Sequence, residues 1–552
     1  MANTTDNKTC LHLVLRSSAE LVDRCSDFFR EGDEVLFMDD GVMCLVTGPI
    51  LRCRNGDGNV RGDALKKYTR LLLALLTALT SLASVAQTEQ LDLPDMGASA
   101  NAILSRAEEA EYAKALLMQM RAYEVLNEDP LIAAYFEDMG FRLAAHSDRP
   151  DKAFTFVILN QPVVNAFAAP GGVIALYSGL ILAADDENEV AGVLSHEIAH
   201  ITQLHLYRAY ENQQAMTIPI ALAMLALVLV GGGSGEAIQG AVMGGQAAAI
   251  QSQIFFTRQN EYEADRIGIS TLSRAGYDPA GMGEFFEKMG RINRAMGEGP
   301  PEYLRTHPVS VSRIAEAENR AANMPKPEPS DGRDFYLVQA RLRAMTSKTP
   351  DEALEWFKHR MDRADIGQAE SDALFYGRAI ALQKKGDYEE SRKLLQNLIE
   401  REHHIAFDLQ LADLDLESGN DNRAIDQLAG MYNSFPGNHA ISMQYAKALL
   451  KDGDPRKAET AAVVLRKQLL NHPNDPQLYE LYARSANIAG DSVKAKEAIA
   501  ESYYLRGGIH EAAMQLQILA SEDDLDYYQR ARITARITEL RMELAKLGLE
   551  ES

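Results

Sequence analysis

The stretch SHEIAHITQLHLYR, Ser195 to Arg208, decides how this chain is read. Val190, Val193 and Leu194 before it, with Ile198, Ile201 and Leu204 inside it, recur at helical spacing and predict the buried stripe of an amphipathic helix. Asp185, Asp186, Glu187 and Glu189 crowd the expected start of that helix, where carboxylates suit the positive end of the dipole. His196 and His200 stand four apart, so both imidazoles fall on one side, at the flank of the stripe. With twelve histidines in the chain, a chance match to His-Glu-x-x-His arises in roughly 2% of such sequences, and the short motif alone is only suggestive.

Zinc takes neutral imidazole nitrogens at about 2.0–2.1 Å, and a helical pair four apart supplies two of them. Glu197, one position on, can reach a water on the metal, whose pKa falls to about 7, and take its proton. A third ligand is available in NEYEADRIGI, Asn260 to Ile269, where Glu261 and Asp265 stand four apart on a second expected helix. Glu261 completes a set of two histidines and one glutamate with an open fourth position. Asp265, on the same face, can accept a hydrogen bond from the outer nitrogen of a ligand histidine. Glu263, two residues on, points elsewhere. Taken alone, this segment reads as an exposed helix whose acids pair with Arg266. The stretch RTHPVSVSRIAEAENR, Arg305 to Arg320, adds His307 ahead of a proline, whereas His205 has no motif partner and is expected to be a surface or structural histidine.

His196-Glu197-x-x-His200, Glu261 with Ala264-Asp265, and Thr306-His307-Pro308 with Arg313 together resemble the gluzincin family that contains the HtpX protease and the CAAX prenyl protease. The resemblance implies a zinc metalloendopeptidase with one zinc ion per chain on His196, His200 and Glu261. It implies Glu197 as general base and places Asp265 and His307 in the catalytic set. Two roles for His307 stay open: filling the fourth position to hold the enzyme latent, or donating a hydrogen bond to the oxyanion. Peptidases of this type bind substrate as an added strand at a sheet edge. FTFVILNQPVVNAFAAPGGVIALYSGLI, Phe154 to Ile181, is rich in strand formers with a hairpin-like Pro170-Gly171-Gly172 turn. NAFAAPGG, Asn165 to Gly172, is the candidate edge, with an ordinary internal strand as the alternative.

A net charge of -23 argues against a nucleic-acid partner. All four cysteines (Cys10, Cys25, Cys44, Cys53) fall early, so no later segment can hold a disulfide or a cysteine-ligated zinc. LKKYTRLLLALLTALTSLASVAQTEQ, from Leu65, has a positive start, an apolar run from Leu71 to Leu82 and small residues at Ser84 and Ala86. This is the layout of a signal peptide over residues 66–86, cleaved after Ala86, and it predicts export to the periplasm. Residues 1–65 precede it and loosely resemble the DsrH/TusB sulfur-relay proteins. A start assigned too early and a true fusion are both open. Met216 to Val230 carries no charge and reads either as a buried helical hairpin or as a helix resting on a membrane surface.

Beyond a proline-rich linker over residues 323–334 the sequence repeats. Gly386, Gly419, Gly453 and Gly490 each follow an alanine by seven residues (Ala379, Ala412, Ala446, Ala483) and precede a small residue by five (Ser391, Ala424, Ala458, Ala495). This period resembles the tetratricopeptide repeat of about 34 residues. The expected fold is therefore mainly α: an α+β gluzincin-type peptidase domain over 87–322, an α-helical repeat solenoid over 335–520 and a C-terminal helix over 521–552. With the export signal, the resemblance implies clients among unfolded or misassembled envelope proteins, outer-membrane barrels above all. It implies the barrel assembly complex as a partner of the repeats. The competing reading is a chaperone-like adaptor with little proteolysis.

Overall fold

The computed structural model describes residues 35–39, 42–47, 50–55, 105–211, 257–295, 301–328, 330–364 and 366–546. The expected signal at 66–86 and the apolar run Met216 to Val230 lie outside the described residues. The chain divides into two compact units, Met1–Met96 and Gly97–Ser552. The first contains an antiparallel meander of β1 (Val35–Asp39), β2 (Val42–Thr47) and β3 (Ile50–Asn55), with Phe37 opposite Cys44 and Cys44 opposite Cys53.

The second unit opens with α1 (Arg106–Ala122), started by a capping box: the Ser105 hydroxyl accepts from the Glu108 amide and the Glu108 carboxylate accepts from the Ser105 amide. α2 (Pro130–Ala145) is capped by Asp129, which accepts from the amides of Leu131 and Ile132. A three-stranded sheet follows in the order β4-β6-β5, built from β4 (Thr155–Leu159), β5 (Ala166–Ala169) and β6 (Val173–Tyr177). β4 runs parallel to the central β6, and β5 returns antiparallel through Pro170–Gly172. That turn needs Gly172, with φ +78, because a Cβ there would lie 2.0 Å from the Ala153 carbonyl oxygen. β5 is thus an edge strand, as the edge reading of Asn165 to Gly172 anticipated, and β6 is the internal one.

After α3 (Ser178–Ala183), Asp186 caps α4 (Glu187–Thr202) by accepting from the amides of Asn188 and Glu189. Every residue of α4 from Glu189 to Thr202 is buried, because β5, α2, α6 (Arg258–Arg274) and α7 (Ala280–Ala295) all pack on it. The apolar stripe anchors it: Val190, Val193, Leu194, Ile198 and Ile201 join one core with Phe136, Phe156, Ile269, Phe285 and Phe286. α4 and α6 approach closely at Gly268, where a Cβ would lie 2.9 Å from Met282 Cε, 3.1 Å from the His196 backbone nitrogen and 3.2 Å from its Cα.

From α10 (Arg333–Thr346) onward, beyond α8 (Glu302–Thr306) and α9 (Val311–Ala322), the structure is helical hairpins: α10 with α11 (Pro350–Met361), α12 (Gln368–Lys385) with α13 (Tyr388–Arg401), α14 (Ile405–Glu417) with α15 (Asp421–Ser434), α16 (His439–Leu449) with α17 (Pro455–Asn471), and α18 (Pro476–Ile488) with α19 (Ser492–Leu505). Gly386, Gly419, Gly453 and Gly490 take φ of 94, 80, 75 and 89, the left-handed turn that closes a helix. Ala379, Ala412, Ala446 and Ala483 are buried, as are Ser391, Ala424, Ala458 and Ala495, so small side chains let paired helices approach. α20 (Ile509–Ala520) and α21 (Tyr527–Lys546) end the array.

The hairpins touch the helices of the preceding α/β region at both ends of the array. α10 packs on α2 and α3, where Arg341 pairs with Asp129 at 2.6 Å and Gln339 donates to the carbonyls of Ile181 and Ala184. At the far end Met118 of α1 joins the apolar core of α20 and α21, and Lys114 pairs with Glu543 at 2.8 Å. Among the described residues no helix is long and apolar enough to cross a membrane.

Candidate metal centre

α4 presents His196, Glu197 and His200, all fully buried, and α6 presents Glu261 and Asp265. The short α8 ends at His307, and α9 carries Arg313. Ligand atoms of His196, His200, Glu261 and His307 lie within 4.8 Å of one another. His196 Nε2 is 3.0 Å from His200 Nε2, 3.2 Å from His307 Nδ1 and 3.6 Å from Glu261 Oε2. Glu261 Oε1 is 3.4 Å from His200 Nε2 and 3.2 Å from His307 Nδ1. Four ligands about 2.1 Å from a tetrahedral centre stand about 3.4 Å apart, and these separations bracket that value. Two imidazole nitrogens 3.0 Å apart can share only one proton. A cation between the four donors satisfies all of them at once, and the residues present fit a metal ion.

A second layer holds these donors. His196 Nδ1 lies 3.0 Å from Asp265 Oδ1. Arg313 donates from Nε and Nη2 to the two oxygens of Asp265 at 2.6 and 2.7 Å, and from Nη1 to Glu261 Oε2 at 2.7 Å. The same Nη1 donates to the Pro308 carbonyl at 2.8 Å, which ties the segment bearing His307 to this network. The guanidinium also sits 4.9 Å over the Phe286 ring. Arg266, the ion partner expected if the helix were merely exposed, has no part in it.

The peptidase family M48 profile matches residues 130–321. The beta-barrel assembly-enhancing protease of Escherichia coli strain K12 is 36% identical over 456 residues, which is 81% of this chain and 91% of that protein. The putative beta-barrel assembly-enhancing protease of Vibrio cholerae serotype O1 is 33% identical over 480 residues, 86% of this chain and 97% of its own. The mitochondrial metalloendopeptidase OMA1 of Saccharomyces cerevisiae is 33% identical over 174 residues, 31% of this chain and 46% of its own. The chain belongs to the beta-barrel assembly-enhancing protease family. It is a metalloendopeptidase with a catalytic metal, and its likeness to the family extends well past the M48 region.

The electrostatics of the peptidase site follow from burial and pairing. Burial pushes the Glu197 carboxyl up, with His307 and His196 opposing it, and His307 Nε2 is 3.4 Å from Oε1. Burial works against ionised Glu261 too, but His307, His196 and His200 outweigh it and hold that carboxyl well below the usual range. Burial lowers His196 as well, yet Asp265 and Glu261 win and hold it up at about 9. For His200 burial dominates and keeps the ring well below the ordinary imidazole value.

Of the two readings left for His205, surface or structural, the structure shows the second. It is not at the surface: it is fully buried, its Nδ1 is 2.9 Å from His200 Nδ1, and its Nε2 is 3.2 Å from Glu263 Oε2. Glu263 does point away from the metal cluster, as its spacing implied, and His205 is what it meets. Sequence reading also missed Tyr303, whose buried ring stacks on His307 at 5.1 Å and 26°. Helical periodicity could not find His205, because Leu204, with φ 58, breaks the helix between it and His200.

Proposed function

We propose that this chain is an exported, periplasmic zinc endopeptidase that degrades misfolded or stalled envelope proteins, outer-membrane barrel proteins above all. Its repeat helices recruit those clients or the barrel assembly machinery. The observation that carries the chemistry is the buried cluster of His196, His200 and Glu261 with Glu197 beside it. Two imidazoles and a carboxylate are a donor set that suits zinc. The client class rests on relatives that match through the repeats and are named for enhancing beta-barrel assembly.

His196, His200 and Glu261 would hold the zinc, which would supply Lewis acidity toward a peptide carbonyl and a water at the site. Glu197, raised by burial, is poised to take a proton from that water and hand it to the leaving amine. Asp265 orients His196 through Nδ1, and Arg313 holds Asp265 and Glu261 together. β5 packs on α4 and, among the described residues, pairs with β6 alone, so an extended peptide laid along its other edge would reach the site by backbone hydrogen bonds. His307 Nδ1 stands in the ligand cluster while its Nε2 faces Glu197. That arrangement supports latency over the oxyanion role, since a catalytic zinc site keeps one position open.

The same closed cluster favours a second reading, a chaperone-like adaptor in which cleavage is rare. The test uses the chain from Gln87, loaded with zinc, and a denatured outer-membrane barrel protein as substrate. Fragments from wild type and none from Glu197→Gln, with metal content equal, support the peptidase. No fragments from either wild type or His307→Ala would leave the adaptor.

A further inference from the structure

Each of the two histidines of α4 has a second nitrogen turned away from the cluster, and the two are braced differently. Behind His196 stands a carboxylate, with Asp265 Oδ1 at 3.0 Å. Behind His200 stands another imidazole, with His205 Nδ1 at 2.9 Å. The direction of the protons follows from the geometry. His200 Nε2 faces His196 and Glu261, so with a metal on that nitrogen the ring proton resides on Nδ1. His205 Nδ1 can receive it only as a bare nitrogen, which puts the His205 proton on Nε2. That nitrogen is 3.2 Å from Glu263 Oε2, and Arg208 Nη1 is 3.5 Å from the same oxygen.

The backbone is bent to reach this arrangement. Leu204 has φ 58, and among the described residues only Glu124 shares a positive φ without being glycine. Leucine adopts the left-handed region rarely, and such conformations gather where the surroundings impose them. Here the left-handed residue ends the turn after α4 and starts α5 (His205–Glu211), which brings His205 back against His200.

We infer that His205 and Glu263 are positioning residues that fix the tautomer and orientation of His200, as Asp265 does for His196, so that both histidines are braced by a carboxylate, one directly and one through an intervening imidazole. The inference rests on the reading of His200 as a metal ligand through Nε2. Carboxylates behind ligand imidazoles raise their basicity, and losing one typically costs about 10–100-fold in metal affinity.

The experiment measures zinc affinity of the full chain by chelator competition, with melting of the metal-free protein alongside. His205→Phe removes the acceptor, Glu263→Gln removes the charge, and His205→Gln keeps an amide oxygen able to take the His200 proton. Expected are zinc affinities about 10–100-fold weaker for His205→Phe and Glu263→Gln, with most of the loss recovered in His205→Gln. Metal-free melting of Glu263→Gln should match wild type. Wild-type affinity in both His205→Phe and Glu263→Gln would overturn the inference. So would a weakening that His205→Gln fails to recover and that tracks a lower metal-free melting temperature. Should His205→Phe fail to fold, Glu263→Gln decides alone. His200→Ala separates the two levels: if it binds zinc as tightly as wild type, the metal-site reading fails and the inference with it.

Discussion

Arg313 Nη1 donates to Glu261 Oε2 across 2.7 Å, so a guanidinium from α9 holds the carboxylate that α6 lends to the metal cluster. All three side chains of the Arg313–Glu261–Asp265 group are buried. Taking one partner from such a group strands charge in a low dielectric, at a cost of about 3–5 kcal/mol. Arg313→Ala should therefore lower the melting temperature and the zinc content together. Arg313→Lys should recover little, because an ammonium cannot bond both oxygens of Asp265 and Glu261 at once. Melting curves and metal analysis of the two variants check this.

His307→Ala should raise basal cleavage of an unfolded substrate while zinc stays bound. His307 Nδ1 stands 3.2 Å from both His196 Nε2 and Glu261 Oε1, the place an incoming carbonyl or water needs. A fall in cleavage with zinc retained would instead assign His307 to the oxyanion.

Asp129 serves two elements at once, capping α2 and receiving Arg341 from α10. Asp129→Ala removes a cap worth about 1 kcal/mol and leaves a mostly buried guanidinium unpaired. A loss of about 3 kcal/mol or more is expected in urea unfolding of the metal-loaded chain. Asp129→Asn keeps the cap and should lose less.

A third contact predicts acid sensitivity. Burial pushes Asp475 up, but His439, 3.1 Å away, and the amides of Gln477 and Leu478 outweigh it and hold the carboxyl below its usual range. A depressed acid stabilises the fold above its unfolded value of about 3.9, and that contribution is lost as pH falls through the folded value. Asp475→Asn should thus be less stable than wild type at pH 7, and the gap should close below about pH 4. Thermal melts of both proteins across that range measure it.

Much of this was legible in the sequence because the signals are periodic. The helical stripe through Val190 to Ile201 and the glycine-to-glycine repeat survive any tertiary detail, and both elements form where they were expected. The clustering of His196 and His200 with Glu261 was anticipated in part, because spacing of four puts His196 beside His200 on one helix and Glu261 beside Asp265 on another. Asp265 was readable for the same reason. What sequence could not give is whatever depends on chain reversal. His205 reaches His200 through one left-handed leucine, and β5 becomes an edge only once β4 has paired with the other side of β6. The docking of both ends of the repeat array on the peptidase helices is equally invisible, because Arg341 and Asp129 are far apart along the chain.

The contact at Gly268 acts as a gauge for the metal site. His196 belongs to one side of the α4–α6 seam and Glu261 to the other, and the seam closes to its observed width because residue 268 has no side chain. An alanine there would force its neighbours apart by a few tenths of an ångström. Metal–ligand distances are held to within about 0.2 Å, a tolerance of the same order as that shift. Weaker metal binding is the expected result, without any ligand having been altered. The residue with the least chemistry in the motif region therefore sets the dimension on which its chemistry depends.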